Sequence, residues 1–172
     1  MKKHVPNIVT SLNAACGCIG IGLAFKGELV FASYMVGLAA ILDFMDGMLA
    51  RLLNAKSKFG KELDSLADLI SFGVLPGFIM FSLLDMCFNE SGGWVSYIPF
   101  IAFLIPVFSA LRLAKFNTDH RQSDYFIGIP TPANAIFISS IPLILNYQPE
   151  QILVISNLIG NPGFLIGLAL IL

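Results

Sequence analysis

The chain has 172 residues, of which 56% are hydrophobic and 12% charged, with a mean hydropathy of +0.81. Soluble domains carry about 25% charged residues, so this composition excludes a water-soluble globular domain and indicates an integral membrane protein. The net charge of −1 says little as a sum; no nucleic-acid partner is expected, and the placement of the charges carries the information.

A spanning helix needs about 20 apolar residues, and the chain offers several such stretches in succession. Residues 7–25 are the first, rich in the Gly and Ala that let helices approach closely. The run after Met1-Lys2-Lys3 lacks a small-residue cleavage site and is expected to continue into this span rather than be removed as a signal peptide. Gly27-Glu28 predicts a tight turn, and residues 29–53 and 60–85 are the second and third spans. The polar stretch 87–93 is a loop, with Trp94 and Tyr97 as interfacial anchors. Residues 94–116 are the fourth span, with kinks expected at Pro99 and Pro106. Asn117 to Pro130 reads as a loop and 131–147 as the fifth span. Beyond Glu150 an apolar stretch is broken by Asn161-Pro162-Gly163, and the ten residues from Gly163 to Leu172 are too short to cross alone. The expectation is an all-α polytopic transmembrane bundle of about six spans, a single domain over residues 1–172; either the sixth helix starts near Gln151 and crosses despite Pro162, or, the favoured reading, the chain is truncated within its last span.

Nine of the ten basic residues lie on one side of this arrangement if the N-terminus is inside: Lys2, Lys3, Arg51, Lys56, Lys58, Lys61, Arg112, Lys115 and Arg121. Only Lys26 lies on the other. The positive-inside rule therefore predicts a cytoplasmic N-terminus and cytoplasmic ends for the second and third helices, as in a bacterial-type inner or plasma membrane. Cys16, Cys18 and Cys87 are read as small packing residues.

Those two helix ends carry the chemistry. Asp43-x-x-Asp46-Gly47-x-x-Ala50-Arg51 is followed, after eight residues, by Gly60-x-x-x-Asp64-x-x-x-Asp68. Ionisable groups at membrane depth are costly and usually mark function. Spacings of three and four put each pair on one face of its helix, and the short polar link from Leu52 to Phe59 predicts an antiparallel hairpin with all four carboxylates facing one another. Such a cluster repels itself unless cations intervene, and oxygen-only ligands favour a hard divalent ion, Mg²⁺ or Mn²⁺.

This pattern resembles the signature of the CDP-alcohol phosphatidyltransferases and matches it at every fixed position. The resemblance implies transfer of a phosphatidyl group from CDP-diacylglycerol to an alcohol, with two divalent cations, in a homodimeric membrane enzyme. It implies that Asp43, Asp46 and Asp64 are metal ligands, and that Asp68 both touches a metal and acts as general base. Gly47, Ala50 and Gly60 are small enough for close approach of a nucleotide, although helix packing also accounts for the glycines. Arg51 can fork onto phosphate oxygens or serve as a membrane-edge anchor. Lys56, Lys58 and Lys61 read as contacts to anionic headgroups, with contact of one of them to the diphosphate as the alternative.

The flanks 6–13, 64–76 and 128–133 resemble the phosphatidylserine synthase branch, which implies L-serine as acceptor. A serine carboxylate needs a cation, and Arg112 is the first candidate, with Lys115 and Asn117 beside it; a membrane-edge role for Arg112 stays open. Ser65 and Ser71 read as helix-packing hydroxyls, His120 as a solvated loop residue, and Tyr125 and Phe126 as interfacial packing. A UbiA-type prenyltransferase lacks the Asp-Gly-x-x-Ala-Arg half of the motif. A transporter would need polar groups further across the membrane.

Overall fold

The computed structural model describes residues 4–55, 57–88, 93–118, 130–148 and 150. Every regular element among them is helical. Four helical rods are long and apolar enough to cross a membrane: Val5–Phe25, Leu29–Leu52, Lys58–Phe88 and Gly93–Thr118. They follow the expected spans 7–25, 29–53, 60–85 and 94–116 to within three residues at every end. The expected sixth span, the truncation, and the readings of Lys2, Lys3, Lys56, His120, Arg121, Tyr125 and Phe126 lie outside the described residues.

The first two rods are the regular helices α1 (Val5–Phe25) and α2 (Leu29–Leu52). The turn between them is a Schellman cap: Gly27, at φ 79°, donates to Ala24 O, and Glu28 N donates to Leu23 O. The third rod is composite, with α3 (Lys58–Asp68), a π-helical stretch at Leu69–Val74 and α4 (Leu75–Phe88) running on without a break. The fourth begins as a 3₁₀ helix, Gly93–Phe103, and becomes α5 at Leu104–Thr118. The prolines expected to kink it flank this change. Pro99 sits in the 3₁₀ stretch, and Pro106 falls in the first turn of α5, where its missing N–H is not needed. Helix α6, Thr131–Tyr147, has 17 residues, about 26 Å at 1.5 Å per residue, slightly less than the hydrocarbon core.

Small residues set the packing. A methyl group at Gly17 of α1 would lie 2.9 Å from Ile70 and 3.0 Å from the Ser71 backbone; one at Gly73 would lie 3.1 Å from Ser109 of α5, and one at Gly77 2.9 Å from Pro106. The composite rod is therefore gripped on two sides, by α1 and by α5. Phe72, Leu75, Ile79, Met80 and Leu84 fill the centre between them. Lipid is as apolar as these side chains, so close packing rather than exclusion of water stabilises the assembly. Three buried helical hydroxyls are satisfied within their own turns: Thr10 donates to Pro6 O, Ser33 to Leu29 O and Ser71 to Ala67 O, as the packing role expected of Ser71 requires. Cys16 belongs to the core, but Cys18 and Cys87 are exposed, which corrects the packing role expected of them.

Candidate active site

Two local caps aim the carboxylate-bearing helices. At the end of α2, Asn54 takes the left-handed conformation (φ 48°) that Asn tolerates, and Ala55 N donates to Ala50 O. Ser57 then caps α3, its hydroxyl accepting from Gly60 N at 2.9 Å. These caps turn the chain back within a few residues and bring the two halves of the motif face to face.

One carboxylate oxygen from each of Asp43, Asp64 and Asp68 lies within 4.8 Å of the other two. Asp46, one turn nearer the end of α2, stands beside this triad with its carboxyl next to Thr10 of α1. It is 5% exposed. The foursome expected from spacing is thus three converging carboxylates and a fourth alongside.

The donor set fits divalent cations. At 4 Å and an effective dielectric of 20, two like unit charges repel by about 4 kcal/mol, and this cluster contains several such pairs. Asp46 Oδ2 and Asp64 Oδ1 are buried with no hydrogen-bond partner among the described residues. Buried polar oxygens are normally satisfied, and a hard cation would satisfy these two. All the charged donors are oxygens, the chemistry Mg²⁺ and Mn²⁺ select.

A cavity of about 690 Å³ opens against the cluster. Asp46 and Asp64 reach it, and so do Gly47, Ala50, Arg51 and Gly60, the positions expected to meet a nucleotide diphosphate. Lys58 and Lys61 are at the same wall. The two motif glycines differ in kind. A methyl group at Gly47 would meet nothing within 4 Å among the described residues, so its smallness serves the cavity rather than helix packing. One at Gly60 would lie 3.1 Å from both Asn7 Oδ1 and Ser57 Oγ, so Gly60 is needed for the fit of α3 against α1 and its own cap.

The acceptor candidates on α5 are partly drawn in. Asn117 Nδ2 donates to Ser65 Oγ at 2.8 Å, next in sequence to Asp64. Arg112 donates to the hydroxyl of Thr131, at the start of α6, at 3.3 Å. Lys115 is exposed. Ser65 is thus more than a packing hydroxyl, since it ties α5 to the motif helix.

The contribution of α1 escaped the reading of individual residues. Pro6, Asn7 and Thr10 line the cavity, and Asn13, fully buried, donates from Nδ2 to Asp68 Oδ1 at 3.4 Å. The signal was available: Asn7, Thr10 and Asn13 recur every third residue in a helix whose other residues, Ser11 apart, are apolar or small.

Comparison with known proteins agrees with this geometry. The profile of the CDP-alcohol phosphatidyltransferase family matches residues 3–168. The CDP-diacylglycerol–serine O-phosphatidyltransferase of Helicobacter pylori (strain ATCC 700392 / 26695) is 42% identical over 77% of this chain and 54% of its own length. The protein of the same name from Bacillus subtilis (strain 168) is 35% identical over 76% of this chain and 70% of its own. An archaetidylserine synthase from Methanothermobacter thermautotrophicus is 35% identical over 79% and 56%. The chain spans about half the length of the first of these relatives. Matched by the family profile over residues 3–168, nearly its whole length, this chain belongs to the CDP-alcohol phosphatidyltransferase family.

Proposed function

We propose that this chain transfers the phosphatidyl group of CDP-diacylglycerol to the hydroxyl of L-serine, releasing CMP. The observation that carries this reading is the pair of unpartnered carboxylate oxygens, on Asp46 and Asp64, at the wall of a cavity that also has Arg51 and two lysines. Anionic oxygens and cationic side chains around one space suit a metal-bound diphosphate better than either charge alone. Two divalent cations, Mg²⁺ or Mn²⁺, would neutralise the diphosphate when bound.

In this reading Asp43, Asp46, Asp64 and Asp68 hold the ions, Gly47 and Ala50 leave room for the nucleotide, and Arg51 binds phosphate oxygens. Asp68 takes the proton from the serine hydroxyl. That oxygen forms a bond to the phosphorus bearing diacylglycerol, and the bond from this phosphorus to the bridging oxygen breaks, leaving with CMP. Arg112 is assigned to the serine carboxylate, with Lys115 and Asn117 nearby. The names of the relatives differ in their lipid and agree on serine, which supports serine over other acceptors. The site faces the cytoplasm, following the positive-inside distribution, and the working unit is a homodimer.

The test is CMP release from CDP-diacylglycerol by the full chain with serine, glycerol 3-phosphate and inositol phosphate assayed side by side. Metal-dependent release with serine is the expected result. Turnover only with another acceptor would overturn the serine assignment and leave the family chemistry standing.

A further inference from the structure

Helix α1 carries no charged residue between Val5 and Phe25, yet it presents a polar stripe to the carboxylate hairpin. Asn7 Oδ1 lies against Gly60, Thr10 lies beside Asp46, and Asn13 reaches Asp68. Three successive turns of one helix thus meet three levels of the motif. The last contact is the most constrained. Asn13 is fully buried, and of its two amide atoms only Nδ2 is engaged; Oδ1 has no hydrogen-bond partner among the described residues.

An amide beside a carboxylate must turn its NH₂ towards it, because the carbonyl oxygen would repel the anion. The Asn13 side chain is held in turn by its helix. Gly17, one turn further along α1, packs closely on the composite rod: a methyl group there would lie 3.0 Å from the Ser71 backbone. The amide is therefore a fully buried donor on a closely packed helix, facing Asp68.

We infer that Asn13 is a positioning residue for Asp68: its Nδ2 holds Asp68 Oδ1 and leaves Oδ2 aimed at the reacting hydroxyl. The inference rests on the assignment of Asp68 as general base. It adds an α1 residue to a centre otherwise built from α2 and α3.

The experiment is a double-mutant cycle on the full chain in lipid vesicles, with Asn13→Leu, Asp68→Asn and the pair. Leu matches Asn in size and keeps α1 packed, so the variant should fold; Asn13→Ala is the second choice if it does not. Removing an outer contact of this kind typically lowers activity about 10- to 100-fold. The expected result is a fall of that size in kcat, with the KM for CDP-diacylglycerol changed less than about threefold. The rise in thermal stability on adding Mn²⁺ should persist, and Asn13→Leu should have little further effect once Asp68 is Asn. A kcat within threefold of the parent, effects that multiply independently in the pair, or loss of the Mn²⁺ response in Asn13→Leu would each overturn the positioning role. Near-normal turnover by Asp68→Asn alone would instead overturn Asp68 as base. Absence of CMP release by the parent chain with every acceptor would defeat both.

Discussion

On the α1 side of the acidic cluster, buried groups touch the aspartates themselves: Thr10 lies beside Asp46, and Asn13 donates to Asp68. On the α5–α6 side, Asn117 donates to Ser65, the residue next to Asp64, and Arg112 donates to Thr131. The first side is closed, with Thr10 3% and Asn13 0% exposed; the second is half-exposed. Fixed geometry is placed on the more buried side, and the groups assigned to the exchangeable acceptor stand on the more exposed one. A reaction centre that must bind a small alcohol repeatedly gains from this separation, because the groups that select the acceptor can move without disturbing the groups that react.

The largest expected effect breaks the comparison at its centre. Asp64→Asn removes a charge from the middle of the cluster, and both CMP release and the Mn²⁺-dependent rise in thermal stability should be lost together. Retained turnover with a normal metal response would remove Asp64 from the site.

Next in size is Arg112→Ala, which isolates the open side. Loss of a charge-assisted hydrogen bond of about 1.5–3 kcal/mol should raise the serine KM roughly 10- to 150-fold and leave the KM for CDP-diacylglycerol near its parent value. Arg112→Lys should recover only part, since it keeps the charge and loses the fork. An unchanged serine KM in folded, active protein would make Arg112 a membrane-edge anchor and move the search to Asn117.

The smallest effect sharpens the contrast within the motif itself. Gly47→Ala adds a methyl group into open cavity, so it should stabilise the helix by up to about 1 kcal/mol while raising the KM for CDP-diacylglycerol. Gly60→Ala pushes the same group to 3.1 Å from Asn7 and Ser57, so it should lower the thermal midpoint. Equal signs for the two in a melting experiment would contradict the roles assigned to them.

Much of this molecule was legible in the sequence, and the illegible parts share a cause. Apolar run lengths marked the four long rods and α6, and the motif spacing marked both faces of the acidic hairpin. Periodicity shows which face of a helix is special but not which other helix meets it. Asn13 and Asp68 are 55 residues apart, and nothing local announces their contact. The 3₁₀ and π stretches were hidden for a different reason: in uniformly apolar segments the sequence pattern does not distinguish one helix type from another, and the close contact of Gly73 in the π stretch with Ser109 is non-local.

The π-helical stretch at Leu69–Val74 begins at the residue after Asp68. An α-helix advances about 100° per residue, so one residue accommodated as a wide turn rotates everything beyond it by about that angle. The rod therefore has two independent azimuths. Its first half points the aspartates at α1 and α2, and its second half points Gly77 and the apolar core at α5. Without that offset, one straight helix would have to satisfy both with a single face.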